Sequence, residues 1–501
     1  MIQMRRTRGA VVIGVGMVLL IGPACSHQDS DIVTITIFHT TDEHGHLLPQ
    51  VPTGSDRTHG GAANLLAWLS DFEGYDSDEH ILLSGGDNWT GASISTWFEG
   101  APTVQAFNAI GYDAAAIGNH DFDFGRTEME QRFAEAEYPY LSANIRYAES
   151  GEQVEFAEPY TMLHANGVSV GIVGLTARST PVTTHPRNVS DLEFTPYVEV
   201  LERLVPRMRQ QGAEVIVVLG HVCADELVEV ARSKPGLADL MLAGHCHERF
   251  SEVVNGTPVI SSGSRLRSYT RIDLLYDSII HQVVDVDSDI ERVNYDTEAG
   301  NPVEPDAELA RLIAEWQEEA DSLLSERIGY TVTGVERRSP IMGNWVADAW
   351  LWAYPHADIA LTNWPGFRAA VDSGPITIDD IVGMMPFDNR LIEFAITGAD
   401  LVANLLCCGG AVGGMTYTAN GDVELNATGQ FHPDSTYYVL VNDFIGTGGA
   451  GYLFHQQGLE NYDTSINWRQ PVIDYTRFLQ TSERRPLEDL VDPAARTPRG
   501  R

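Results

Sequence analysis

Five short clusters rich in histidine, aspartate and asparagine carry the residue types that could do chemistry. They are His39-Thr40-Thr41-Asp42-Glu43-His44-Gly45-His46, Gly85-Gly86-Asp87-Asn88, Gly118-Asn119-His120-Asp121-Phe122-Asp123, Gly220-His221 and Gly244-His245-Cys246-His247. Neutral imidazole, carboxylate and amide oxygen together suit borderline divalent ions: zinc, manganese, iron or cobalt. So many histidines argue against magnesium or calcium, which take oxygen ligands. One aspartate can bridge two metals about 3.5–4 Å apart, and such a pair clamps a phosphate and acidifies water. Each cluster alone has an ordinary reading. A lone Asp-x-His or Gly-Asn-His is usually a solvated turn. Five in succession, each after a strand, are harder to dismiss.

The elements that must position these clusters are legible from periodicity. Val33–Phe38, Ile81–Leu83, Val215–Leu219 and Leu240–Leu242 read as strands. Ala62–Phe72, Thr103–Ile110, Arg126–Ala136 and Val198–Gln211 read as helices between them. Strands alternating with helices predict an α/β layered fold, in which ligands sit at the carboxyl ends of strands. Around Ser288–Asn301 the pattern fades. A single amphipathic helix is then expected over 304–327, with Leu309, Leu312, Ile313, Trp316, Ala320 and Leu323 on one face. It would connect to a second α/β unit over 328–480, followed by a flexible arginine- and proline-rich tail, 481–501.

Composition bounds the rest. The chain has 501 residues, 43% hydrophobic and 20% charged, which suits two or three globular domains. Seventy acidic residues face 32 basic ones, a net charge of −38, and Lys234 is the only lysine. Such a surface repels phosphate backbones and excludes a nucleic-acid polymer as partner. Residues 1–24 read as an export signal: Arg5, Arg6 and Arg8 precede an apolar run from Ala10 to Ile21, too short to span a bilayer. Ile21-Gly22-Pro23-Ala24-Cys25 resembles a bacterial lipoprotein box, although Gly22 stands where leucine is preferred. Lipidation at Cys25 and ordinary cleavage nearby are both open. The expected location is therefore periplasm or cell surface, with any membrane attachment through a lipid. Four cysteines remain, Cys223, Cys246, Cys407 and Cys408, whose pairing the sequence does not give. The adjacent Cys407 and Cys408 are ill placed to bridge one another.

In order, the clusters resemble the calcineurin-like metallophosphoesterases. More narrowly, the chain is similar to the exported 5′-nucleotidase / UDP-sugar hydrolase / 2′,3′-cyclic phosphodiesterase family. Phe38-His39-Thr40-Thr41-Asp42-Glu43-His44-Gly45-His46-Leu47 is close to that family's "LHTNDxHG", and Gly118-Asn119-His120-Asp121-Phe122-Asp123 to its "GNHEFD". The resemblance implies a four-layer α-β-β-α metallophosphoesterase domain over 32–300, the connector helix, and a substrate-binding domain. It also implies two divalent metal ions. Asp42, His44 and His247 would hold one, Asn119, His221 and His245 the other, and Asp87 would bridge them. A metal-bridging hydroxide would attack the phosphorus, with His120 facing the phosphate and Asp123 orienting His120. Asp121 is expected to be structural, and His39 and His46 are not expected to ligate.

The second half carries the resemblance further. Arg338-Ser339-Pro340-Ile341-Met342-Gly343-Asn344 resembles "RxxxxGN", and Asn363-Trp364-Pro365-Gly366-Phe367-Arg368 sits where the family has "NGGGIR". Met385-Pro386-Phe387-Asp388 matches "LPFG", and Asp443 to Tyr452 aligns with "NFLAxGGDGY". Phe387 and Phe444 would stack a nucleobase, Arg338 and Arg368 would meet phosphate or ribose oxygens, and Asn363 would add a polar contact. Two departures touch this site: Ala450 replaces the aspartate that accepts from ribose hydroxyls, and Trp364-Pro365 replaces two glycines. The implied activity is hydrolysis of nucleoside 5′-monophosphates or related nucleotides to nucleoside and phosphate. The alternatives are cyclic-nucleotide or UDP-sugar hydrolysis, a thiosulfate-oxidation-type hydrolase, and a non-catalytic binding lipoprotein.

Overall fold

The computed structural model describes residues 32–50, 58–295, 302–417, 422–426 and 430–497. The signal, residues 1–24, and Cys25 lie outside the described residues.

The first half is built on two six-stranded sheets. One runs Gln282–Arg292, Ser268–Asp277, Ile32–Thr40, Ile81–Ser84, Ala114–Ala116, Tyr140–Leu141. The other runs Arg249–Val254, Thr257–Ser262, Leu240–Ala243, Val215–His221, Val168–Thr176, Tyr160–Ala165. Ile35, Ile37 and Leu83 of the first sheet share one core with Val170, Ile172, Val217 and Leu219 of the second. Apolar side chains on the opposite faces bury against helices. Leu65, Val104, Phe107 and Met129 cover the first sheet, and Leu201, Leu204, Met208 and Leu227 the second. Sheets covered by helices on both outer faces make the α-β-β-α layering expected of strands that are apolar on both sides.

Parallel pairing decides where the site forms. Ile32–Thr40, Ile81–Ser84 and Ala114–Ala116 run parallel in one sheet, and Val215–His221 and Leu240–Ala243 in the other. Their carboxyl ends therefore open on the same edge, and all five clusters emerge there.

The helix Ala307–Leu324 begins at Asp306, whose carboxylate accepts the Leu309 amide at 2.8 Å. Its buried face, Leu309 and Ile313, joins the core of the first half. Trp316 donates to Gln105 Oε1 at 3.0 Å, so the connector lies along the first unit and does not span free solvent. Beyond it, a five-stranded sheet runs Ala411–Gly413, Ile359–Thr362, Thr436–Asn442, Arg390–Thr397, Glu460–Asn467. The helices Pro340–Ala353 and Gln470–Leu479 cover one face through Trp345, Trp350 and Val472. Leu401 and Leu405 of Gly398–Cys408 cover the other.

Two expectations change. The tail is not loose over 481–497. Leu487 and Val491 are buried in the second core, Asn344 donates to Asp492 O at 2.7 Å, Arg496 pairs with Asp348, and Thr497 donates to Gly410 O at 2.7 Å. Widely spaced anchors among prolines and arginines make no periodic signal, so composition suggested disorder. Cys407 and Cys408 form a disulfide between neighbours, against expectation, at the end of their helix. Cys223 pairs with Cys246, with Cα atoms 5.2 Å apart. Among the described residues, no helix is long and apolar enough to cross a membrane.

Candidate metal and substrate site

The five turns converge. Asp42, His44, Asp87 and His247 offer ligand atoms within 4.8 Å of one another, and so do Asp87, His221 and His245. Asp87 belongs to both groups. Asn119 lies beside the second, its Oδ1 3.2 Å from His221 Nε2. Asp42 (φ 53°), His44 (51°), Asp87 (59°), His245 (66°) and His247 (56°) all adopt left-handed backbone. That conformation is uncommon for residues with a Cβ and persists where surroundings impose it, commonly at functional sites. Close approach requires Gly118: a Cβ there would lie 2.1 Å from Asp87 Oδ1.

Backbone carbonyls set the imidazole tautomers. His44 Nδ1 lies 2.7 Å from Thr90 O and His221 Nδ1 2.8 Å from Gly85 O, so each Nδ1 carries the hydrogen. In the neutral rings the lone pairs at Nε2 then point inward. Burial, then Arg368 and His247, push His44 well below the ordinary histidine range; burial, then Arg368, lowers His247 to about 3. Both rings are neutral, the state a metal needs. The carboxylates create the opposing field. Burial raises Asp42 to about 8, whereas His221 and His120 outweigh burial at Asp87 and hold it ionised. At His221 burial acts downward, but Asp87 and Asp42 overcome it and raise the ring to about 10. A field that holds an extra proton at His221 also draws a divalent cation. Asp42 Oδ1 is buried and has no hydrogen-bond partner. The orphaned oxygen, the neutral inward-facing imidazoles and the shared carboxylate fit two borderline divalent ions.

His120 lies beside these groups. Its Nδ1 is 2.8 Å from Asp123 Oδ2 and its amide donates to Asp87 Oδ1 at 2.8 Å. Burial lowers its pKa, yet Asp123 and Asp87 together raise it above the ordinary value. A protonated His120 with Nδ1 tied to Asp123 has Nε2–H left to donate.

The expected structural role of Asp121 matches its contacts. It accepts from the amides of Gly118 (2.7 Å), Asn88 (2.9 Å) and Asp87 (3.2 Å), stapling two of the five turns together. His39 Nδ1 pairs with Ser262 Oγ at 2.7 Å, away from the two groups. Sequence reasoning assigned no role to Glu43. It is fully buried and accepts from Thr40 (2.6 Å), Ser84 (3.0 Å) and Asn88 (2.8 Å), tying the first turn to the second. Its only signal was its place inside the first cluster.

A cleft of about 840 Å³ opens over the site between the two halves. Asp87, Asn119, His120, His245 and His247 line its floor; Asn363, Arg368, Phe387, Phe444 and Ala450 line the facing wall. Phe387 stacks on His120 with ring centroids 5.4 Å apart, and Arg368 Nη2 reaches within 3.2 Å of His44 Nε2. Arg338 is the exception. It is exposed and borders a small separate hollow with Trp364, Arg496 and Thr497. Trp364 turns the same way, its ring against Gly343, so Pro365 and Gly366 face the cleft and the large ring does not. Sequence reasoning also missed His185 and Arg187. Both line the cleft, and both meet Asp443 Oδ2, at 3.2 and 2.9 Å. Nothing in their spacing marks them, because their partner is over 250 residues away.

Residues 35–249 match the family model for calcineurin-like phosphoesterases, and residues 324–456 that for the 5′-nucleotidase C-terminal domain. The chain belongs to the calcineurin-like phosphoesterases that carry a 5′-nucleotidase C-terminal domain. That family comprises metal-dependent phosphoric ester hydrolases. Protein UshA of Yersinia enterocolitica is 26% identical over 88% of this chain and 90% of its own length. The trifunctional nucleotide phosphoesterase protein YfkN of Bacillus subtilis is 26% identical over 92% of this chain, which spans only 34% of that protein. In three dimensions the chain is similar to the 5′-nucleotidase precursor of Thermus thermophilus, with a TM-score of 0.79, 22% identity, and coverage of 93% of this chain and 99% of that one.

Proposed function

We propose that this protein is an exported phosphoesterase that uses two divalent ions to hydrolyse nucleoside 5′-monophosphates or related nucleotides to a nucleoside and phosphate. The observation that carries the reading is Asp87, shared by two groups of mostly buried side chains at the floor of a cleft with phenylalanines on its far wall. Asp42, His44 and His247 hold one ion, Asn119, His221 and His245 the other, and Asp87 both. When bound, the ions supply positive charge to the phosphoryl oxygens and lower the pKa of water.

The remaining steps belong to side chains. Arg368, buried beside His44, meets the phosphate with a forked pair of donors. His120, held by Asp123, gives the Nε2 proton to the departing ribose oxygen as the P–O bond breaks. Phe387 and Phe444 take the base between them, and stacking tolerates any base. Asn363 adds a polar contact. A cleft of about 840 Å³ also has room for more than a mononucleotide, which favours UDP-sugars as a second reading.

The test is turnover by the purified protein with Mn²⁺, Zn²⁺ or Co²⁺ on AMP, UDP-glucose and 2′,3′-cyclic AMP. Phosphate or nucleoside release from AMP is expected. Absence of turnover on all three overturns the reading in favour of a binding protein.

A further inference from the structure

We infer that Thr184 is a positioning residue for the proton donor, holding Asp123 square to His120 on a segment that is tied to the substrate-binding half through Asp443. This rests on the function proposed above. The Thr184 hydroxyl is buried and donates to Asp123 Oδ1 at 2.9 Å. Asp123 Oδ2 is the oxygen that His120 Nδ1 meets at 2.8 Å. The terminal torsion of an aspartate is broad, so a carboxylate held by one oxygen swings. Held by both, it fixes the imidazole plane and tautomer.

The same segment braces the whole turn that carries the donor. Thr183 O accepts from Asn119 Nδ2 at 3.0 Å, which aims Asn119 Oδ1 at His221. Asn188 Nδ2 donates to Phe122 O at 2.8 Å. Both ends of Asn119–Asp123 are thus pinned by residues 183–188, with Thr184 at the functional carboxylate. Arg187 then reaches the other half, where its Nη2 donates to Asp443 Oδ2 at 2.9 Å, with His185 Nε2 lying 3.2 Å from the same oxygen. Asp443 directly precedes Phe444 in the cleft wall. A substrate seated against Phe444 therefore lies against the element that Thr184's own segment grips. Thr184 touches neither metal ligands nor cleft aromatics through its hydroxyl. Its contribution to turnover runs through Asp123.

The test compares Thr184→Val, which keeps the shape and removes the donor, with Thr184→Ser, which keeps the donor. Each is assayed as the metal-loaded enzyme on AMP, whose ribose oxygen needs a proton to leave, and on p-nitrophenyl phosphate, whose phenolate departs without one. Thr184→Val is expected to lower kcat on AMP about tenfold, a fraction of what a general acid contributes. KM should stay within about twofold, kcat on p-nitrophenyl phosphate should fall less than about twofold, and Thr184→Ser should recover most of the loss. Equal losses on both esters, no loss on AMP, or no recovery with serine overturns the inference while leaving the phosphoesterase intact. Failure of the unmodified protein on both esters overturns the phosphoesterase reading itself. If Thr184→Val does not fold, Thr184→Ala carries the same outcomes.

Discussion

His44 Nε2 faces His247 Nε2 at 3.0 Å. With His44 Nδ1–H given to Thr90 O, the inward nitrogen of the neutral ring is a lone pair, free to accept from His247 or to be offered to a divalent ion. Stripping divalent ions with a chelator should abolish hydrolysis and lower the thermal midpoint, and Mn²⁺ or Zn²⁺ should restore both. Binding at 100 times Kd stabilises by about 2.7 kcal/mol, equivalent to several degrees. A midpoint indifferent to chelator and metal would contradict the assignment.

Asp87 is the one carboxylate common to both groups, so losing it should damage both sites at once. Asp87→Ala should cut hydrolysis of any phosphate ester by at least about 100-fold, beyond what loss of a supporting contact costs, and reduce bound metal measured by elemental analysis. Undiminished hydrolysis would show that the bridged arrangement is wrong.

Asp443 joins the two halves of the cleft through His185 and Arg187, while its Oδ1 accepts the Arg390 amide at 3.2 Å. Arg187 is half exposed, so the pair with it is weak alone. Asp443→Asn keeps an acceptor for Arg390 and removes the charge. KM for AMP should rise about three- to tenfold with kcat changed less than about threefold, an effect of roughly 1 kcal/mol. Steady-state kinetics decide it, and an unchanged KM counts against the coupling.

Ala450 lines the cleft with φ 54° and ψ 19°, a conformation aspartate tolerates better than alanine. Ala450→Asp should leave stability within about 0.5 kcal/mol and place an acceptor where ribose hydroxyls can reach it. The preference for AMP over 2′,3′-dideoxy-AMP, measured as a ratio of kcat/KM, should increase about tenfold. No change in that ratio would remove ribose from this part of the cleft.

Burial raises Asp113 to about 6, although its Oδ2 accepts the Leu82 amide at 2.7 Å. Below pH 3.8 both folded and unfolded states are protonated there, and the group does not affect stability. Between 3.8 and about 6 the unfolded state loses its proton first, so this group's contribution to stability falls as pH rises. Above about 6 the cost is complete, on the order of 3 kcal/mol. Asp113→Asn should be more stable than the unmodified protein at pH 7.5 and lose that advantage at pH 4, as read by denaturant midpoints.

Much of this molecule was legible without coordinates, for a local reason. A strand signals itself by β-branched runs, and a ligand turn by histidine, aspartate and glycine within a few positions. The segments from Asp42 to His247 were therefore identifiable one by one, as was the helix near Ala307–Leu324 from its apolar face. Phe387, Phe444, Asn363 and Arg368 were named from motifs and come together in one cleft. Arg338 was named on the same grounds and sits outside it, because a motif gives a backbone position and not the direction of a long side chain.

What tertiary structure decided is whatever depends on two distant segments meeting. The local pattern around Thr184, His185 and Arg187 gives no hint that they brace Asp123 and grip Asp443. The sequence of Leu487–Thr497 likewise conceals that it packs against Asn344 and Asp348. The pairing of Cys223 with Cys246 was equally undetermined, and that of Cys407 with its neighbour ran against the expectation from spacing. The sequence by itself determined the fold class, the histidine- and aspartate-rich turns and the family, because each is written in short-range spacing. Tertiary structure alone decided the common edge on which five turns open, the distances that bring their side chains to Asp87, and the clasp between the halves, because each is a distance between residues far apart along the chain.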